Sequence, residues 1–274
     1  MPRTWLRDGL RLNVEEWGSG PPLLLLHGFT GCASAWSEEV LKALCTRNRL
    51  VAVDLLGHGE SDKPTAPERY ALGNILCDLC DVLDRLSIGR AVWIGYSMGG
   101  RIALGGAVRC PNRVSALVLE GASPGISDER ARQERAASDE ALAQKLEAEG
   151  IHRFVEHWMD QPLFRTQRGL GPEQLGRMRA LRLRSSPEAL AASLRGLGTG
   201  VQPSFWEDLA EVRVPTLLVA GELDEKFRRI GEAMQRALPR AQLGIIRDAG
   251  HTTHLEQPEA FVSAVRGFIE KLNE

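Results

Sequence analysis

The decapeptide Gly95-Tyr96-Ser97-Met98-Gly99-Gly100-Arg101-Ile102-Ala103-Leu104 constrains this chain more than any other stretch. An apolar run, Ala91 to Ile94, precedes it and a helix-compatible segment, Arg101 to Val108, follows it. Glycines two positions either side of Ser97 relieve the crowding of a sharp strand-to-helix turn, so the G-x-S-x-G spacing reads as a nucleophile elbow in its proper context.

The rest of the chain supplies the architecture that such a turn requires. Short apolar runs bounded by turn residues recur at Leu23–Leu26, Leu50–Val53, Ala91–Ile94, Ala116–Leu119, Thr216–Val219 and Leu243–Ile246, which is the pattern of buried strands. Amphipathic stretches separate them, the clearest being Phe261, Val262, Val265, Phe268, Ile269 and Leu272 at helical spacing. Alternation of strand and helix predicts an α/β fold with a mostly parallel sheet and helices on both faces. Leu6 to Trp17 alternates around Asp8-Gly9, a hairpin dipeptide, and reads as an antiparallel pair at the sheet edge. From Ser123 to Phe205 the chain turns helical and charged. This divides it into a core of 1–122 and 206–274, with 123–205 either an extended helical connection or a cap over the carboxyl edge, where open α/β sheets bind ligands.

A serine hydroxyl reacts poorly until a histidine takes its proton and an acid fixes that histidine's tautomer. Two strand ends offer these partners in the expected order: Gly221-Glu222-Leu223-Asp224 follows one apolar run and Asp248-Ala249-Gly250-His251 follows the next. His251 is therefore the expected base and Asp224 its orienter, with Glu222 the alternative acid. The amide of Met98, opening a helix, and that of Phe29 in His27-Gly28-Phe29-Thr30-Gly31 are the expected donors to a developing oxyanion. His27 and His58 read as structural. His254 could line the pocket, but it lacks an identifiable third ligand for a zinc site.

Composition bounds the remaining possibilities. With 274 residues, 43% of them hydrophobic, one sizeable core is expected. A formal net charge of −2 without a Lys/Arg run argues against nucleic-acid binding by phosphate neutralisation. The amino terminus has no apolar signal core and Leu23–Leu26 is too short to insert in a membrane, so a cytoplasmic protein is expected. Five cysteines, Cys32, Cys45, Cys77, Cys80 and Cys110, are expected as buried thiols.

Taken together, Leu26-His27-Gly28-Phe29, the Asp54–Ser61 segment, GYSMGG, GELD and DAGH resemble the α/β-hydrolase superfamily over nearly the whole chain. Within it the chain is similar to the 2-succinyl-6-hydroxy-2,4-cyclohexadiene-1-carboxylate synthase family of menaquinone biosynthesis. GYSMGGRIAL with its arginine, Glu120–Gly125, Trp158–Phe164, Gly198–Pro203, Gly221–Phe227 and Ala249–Glu256 carry that likeness in order. The resemblance implies an α/β-hydrolase fold with a helical cap and a lyase that expels pyruvate, with Ser97 acting as a base. It implies no metal or organic cofactor. Its substrate is a small polycarboxylate, and a monomer or small homo-oligomer is expected. A serine hydrolase acting on an acidic ester or a carbon–carbon bond is the alternative.

The resemblance also answers why a permanent charge follows the elbow. Residues i and i+4 share a helix face, so Arg101 can aim a guanidinium into the pocket that Ser97 borders and grip a carboxylate bidentately. By the same likeness Arg135 and Arg182 bind substrate anions, with Arg132 and Arg184 as neighbours in an unfixed register, while Trp158 lines the pocket and Tyr96 offers it a hydroxyl. Seven arginines between Arg165 and Arg195 stand against only Glu173 and Glu188, so this half of the insertion is locally basic.

Overall fold

A computed structural model describes the backbone of residues 3–7 and 9–272 and the side chains of residues 9–272. Eight strands form one sheet: β1 (Arg3–Arg7), β2 (Leu10–Trp17), β3 (Pro22–Leu26), β4 (Arg49–Val53), β5 (Ala91–Tyr96), β6 (Val114–Glu120), β7 (Thr216–Gly221) and β8 (Ala241–Ile246). Their order across the sheet is β1-β2-β4-β3-β5-β6-β7-β8. The first two run antiparallel to their neighbours and the rest are parallel, so the expected edge pair is present, with Arg7 opposite Leu10. Asp8 of the proposed turn lies outside the described residues; Gly9 beside it has a φ of 80°.

Strand periodicity explains the layering. Leu24 and Leu26 of β3 face one apolar layer, which includes α2 (Leu72–Arg85) and α3 (Met98–Arg109), whereas Leu23 and Leu25 face another that includes α1 (Glu38–Leu44) and α9 (Pro258–Leu272). All four leucines are fully buried, as a parallel strand covered on both faces requires. The layers contain Trp93 and Trp36, also buried, which remove large apolar areas from water.

Between β6 and β7 lie α4 (Glu129–Met159), α5 (Pro172–Leu183) and α6 (Pro187–Leu197). Asp128 caps α4 by accepting from the Ala131 amide, and α4 breaks at Gly150, whose φ of 76° is non-helical. This insertion has its own small core of Ala143, Leu146, Phe154, Val155, Leu190, Ala191 and Leu194. After β7 come α7 (Glu225–Ala237), α8 (Thr253–Glu256) and α9. Among the described residues no helix is long and apolar enough to cross a membrane.

One expectation fails. No disulfide joins the five cysteines, but only Cys32 is buried, and Cys77 is exposed. The apolar face of α2 is built from Leu72, Ile75, Leu76, Leu79, Val82 and Leu83, and Cys77 falls off that stripe.

Candidate active site

The chain leaves β5 and enters α3 through Ser97, which adopts φ 51° and ψ −108°, a region that costs a non-glycine residue on the order of 1–3 kcal/mol. A Cβ on Gly95 would run into the Gly99 carbonyl, and one on Gly99 into the Leu26 carbonyl, so neither position tolerates a side chain without backbone movement. The strain presents the Ser97 hydroxyl at the carboxyl edge of the sheet. His251 Nε2 lies 3.2 Å from Ser97 Oγ, and His251 Nδ1 lies 2.8 Å from Asp224 Oδ2. Asp224 also accepts from the Phe227 amide through Oδ1, capping α7. One carboxylate thus fixes both the imidazole and the start of a helix. Glu222 is exposed and accepts from the Asp248 amide at 3.3 Å, so it takes no part in this chain of contacts.

Ser97, Met98, Phe29, His251, Arg101, Arg135, Trp158 and Tyr96 line one cavity of about 640 Å³, formed by strand ends on one side and the helical insertion on the other. Asp224 stands behind His251, 8% exposed. Met98 is the first residue of α3, where amides have no intrahelical acceptor, and Phe29 lies in the turn after β3 that the Gly31 amide closes onto the Gly28 carbonyl. The Trp158 ring stacks on Phe154 at 5.6 Å and meets Phe29 edge-on at 5.3 Å. Its indole N–H is buried and has no acceptor among the described residues.

The charges on this wall are arranged unevenly. Arg101 Nη1 donates to the Leu197 carbonyl at 3.1 Å and to Gln202 Oε1, and no carboxylate pairs with it among the described residues. Burial, and then the charge of Arg135, push its pKa down to about 10 against the opposing pull of Asp139. Arg135 Nε donates to Asp139 Oδ1 at 2.8 Å. Arg182 stands apart: it lines a narrower cavity of about 80 Å³ that shares Phe29 and Tyr96 with the larger one. Its Nε meets Thr30 Oγ1 at 3.3 Å and its guanidinium lies 6.0 Å from the Phe164 ring centroid. Burial lowers its pKa. Arg132 pairs with Glu129 and Arg184 with Glu60, and neither lines these two cavities.

His27, His58 and His254 are held by the fold. His27 Nδ1 faces the Gly28 carbonyl at 2.7 Å while its Nε2 accepts from the Leu55 amide at 3.0 Å. Burial lowers its pKa, and it pushes that of His58 down to about 3, so both imidazoles are neutral near pH 7. His254 is buried and bonded to Glu120. The Tyr96 hydroxyl shares a hydrogen bond of 2.8 Å with Thr252 Oγ1, which accepts from Gln167 Nε2 at 2.7 Å. Burial raises the Tyr96 pKa, so the phenol stays protonated. Among the described residues no group of three or more His, Cys, Asp or Glu side chains could hold a metal ion.

Comparison with known proteins bears on the fold and the family. The alpha/beta hydrolase fold family matches residues 21–258. A putative 2-succinyl-6-hydroxy-2,4-cyclohexadiene-1-carboxylate synthase of Bacillus subtilis (strain 168) is 40% identical over 97% of this chain and 97% of its own length. The chain belongs to the α/β-hydrolase superfamily, among the relatives of these synthases. The synthase of Salmonella paratyphi A is 33% identical over 89% of this chain and 92% of its own. The structure of MenH from S. aureus superposes with a TM-score of 0.91 at 34% identity, covering 95% of this chain and 99% of that one. A small-molecule substrate fits an enzyme of this family.

Sequence reasoning missed Gln202, Asp139 and Glu120. Gln202 and Glu120 lie in stretches that carry the family resemblance, but their partners are 101 and 134 residues away, so nothing local marks them.

Proposed function

We propose that this enzyme eliminates pyruvate from 2-succinyl-5-enolpyruvyl-6-hydroxy-3-cyclohexene-1-carboxylate, giving 2-succinyl-6-hydroxy-2,4-cyclohexadiene-1-carboxylate. The observation that carries this reading is Arg101, a part-buried guanidinium on the wall beside Ser97 whose hydrogen bonds among the described residues go to neutral acceptors. A partly buried guanidinium with no carboxylate bonded to it among the described residues has donors left for an anion, even with Asp139 nearby. The relatives' shared name supports the particular substrate.

In this reading Asp224 holds the His251 tautomer and His251 takes the Ser97 proton. The serine oxygen then removes the ring proton α to the succinyl ketone. The electron pair of that C–H bond moves through the ring alkene and breaks the carbon–oxygen bond to the enolpyruvyl group, which leaves as the enolate and takes up a proton to become pyruvate. The amides of Phe29 and Met98 stabilise the enolate oxygen of the succinyl ketone. Arg101, Arg135 and Arg182 bind carboxylates of the substrate, and Trp158 and Tyr96 present an indole N–H and a phenol to it. Residues 123–205 act as the cap that closes the cavity over the core of 1–122 and 206–274.

The test supplies the enolpyruvyl substrate and follows pyruvate, with a simple aryl ester as a parallel control. Pyruvate release with slow ester turnover is expected. Rapid ester turnover without pyruvate would return the enzyme to the serine hydrolases.

A further inference from the structure

The turn that carries His251 is tied to the sheet through one acid that the mechanism above does not use. Glu120 ends β6 and is fully buried. Its Oε1 accepts from the Thr253 hydroxyl at 2.7 Å and from the His254 amide at 3.0 Å, and its Oε2 from His254 Nδ1 at 2.7 Å. Burial by itself raises such a carboxyl, but the His254 charge and these donors outweigh it, and Glu120 is held below the usual carboxylate range. His254 is packed against Trp36 at 4.5 Å and Tyr96 at 5.0 Å between ring centroids, so the far end of the grip is also fixed. The main-chain carbonyl of the same Glu120 accepts the Ser97 amide at 2.8 Å. Next to it, a Cβ on Gly121 would stand 2.8 Å from His251 Cε1, so this strand end sits directly under the imidazole.

We propose that Glu120 is a positioning residue that keeps Ser97 and His251 in register, its carbonyl holding the serine's amide and its carboxylate holding the turn after the histidine. The inference rests on Ser97 and His251 being the reacting pair, as in the proposed function, and not on pyruvate being the product. The Ser97–His251 contact of 3.2 Å has little slack. A displacement of an ångström would carry it beyond hydrogen-bonding reach.

The experiment compares wild type, Glu120→Ala and Glu120→Gln by the rate at which a fluorophosphonate labels Ser97, beside kcat and KM for pyruvate release. In labelling, Ser97 Oγ bonds to phosphorus, fluoride leaves, and the serine proton passes to His251. Glu120→Ala is expected to slow labelling and kcat by on the order of 10²-fold, with KM within about threefold of wild type. Glutamine keeps an oxygen for the Thr253 hydroxyl and the His254 amide, so Glu120→Gln is expected within about tenfold of wild type. A folded Glu120→Ala, shown by its melting temperature, that labels at the wild-type rate overturns the proposal. Equal losses in both variants overturn it too, because charge and not grip would then be the cause. If Glu120→Ala does not fold, Thr253→Val carries the test: a several-fold slower labelling supports the proposal and an unchanged rate overturns it. Wild-type enzyme that labels but releases no pyruvate would sink the proposed function and leave this inference standing.

Discussion

Arg195 on the helical insertion and Arg101 beside Ser97 carry the same group in opposite circumstances. Arg195 donates to Glu140 at 2.8 and 2.9 Å and to Glu147 at 2.6 and 2.9 Å, with all three side chains partly exposed. The glutamates raise its pKa further above the ordinary arginine range. Arg101 has a carbonyl and an amide oxygen for partners, and burial drives its pKa the other way, to about 10. An arginine between two acids is complete as it stands and works within the fold. An arginine held in a cavity wall with neutral acceptors has donors left over, and the proposed function gives those donors a carboxylate. The same contrast divides the basic stretch of the insertion, where Arg168 pairs with Asp160 and Arg179 with Glu156 while Arg182, among the described residues, meets a hydroxyl and an aromatic face and no carboxylate.

The comparison breaks most severely if the cavity is not where the chemistry happens. Ser97→Ala, His251→Ala and Asp224→Asn are each expected to lower kcat by on the order of 10²–10⁵-fold with the melting temperature near wild type, since such groups act as one unit. Steady-state kinetics with thermal denaturation checks this. Near-normal turnover in Ser97→Ala would empty the contrast of meaning, because Arg101 would then border an inert serine.

Arg101 itself comes next in size. Hydrogen bonds to charged groups contribute about 1.5–3 kcal/mol each, so Arg101→Ala should lose about one to two decades of kcat/KM for each bond to a substrate carboxylate. Arg101→Lys restores the charge without the planar two-donor fork and should fall between wild type and alanine. A fall in melting temperature with kcat/KM unchanged would place Arg101 in the same class as Arg195.

The elbow, Asp224 and His251 were legible because each is set by local geometry: a strained turn needs glycines at fixed offsets, and a partner at a strand end follows directly after an apolar run. Arg101 was legible because a helix fixes which residue sits one turn beyond the serine. The arginines of the insertion were not. Arg132 and Arg135 lie one turn apart on α4, and Arg182 and Arg184 two residues apart at the end of α5; packing alone turns Arg135 and Arg182 toward cavities and leaves the others with Glu129 and Glu60. That Arg182 lines the narrower cavity and not the one that holds Ser97 could not be read either, since it depends on how the insertion seats on Thr30. The exposure of Cys77 escaped notice for the simpler reason that a cysteine in an apolar-periodic helix need not lie on its stripe.

Arg182 sharpens the comparison at a smaller scale. One weakly held guanidinium in a narrow side cavity can reach one carboxylate of a polycarboxylate substrate. Arg182→Ala is therefore expected to raise KM for that substrate by about tenfold, with little change in KM for a neutral ester. Separate saturation curves for each substrate measure the two KM values. Equal rises for both would show that Arg182 shapes the cavity without binding charge.

The smallest effect belongs to Arg195, and it is the control on which the contrast depends. Its two glutamates are 41% and 38% exposed, so water and salt screen each pair, and pairs of this kind contribute about 0.2–1 kcal/mol. Arg195→Ala should therefore lower the melting temperature by only a few degrees, at about 2–4 °C for each kcal/mol in a chain of this size. It should leave kcat and KM where they were, because Arg195 lines neither cavity. Raising the ionic strength should shrink the stability difference between wild type and Arg195→Ala, since the lost interaction is largely Coulombic and exposed. If Arg195→Ala instead raised KM for the polycarboxylate as Arg182→Ala is expected to, pairing with acids would no longer separate the arginines that hold the fold from those that hold the substrate.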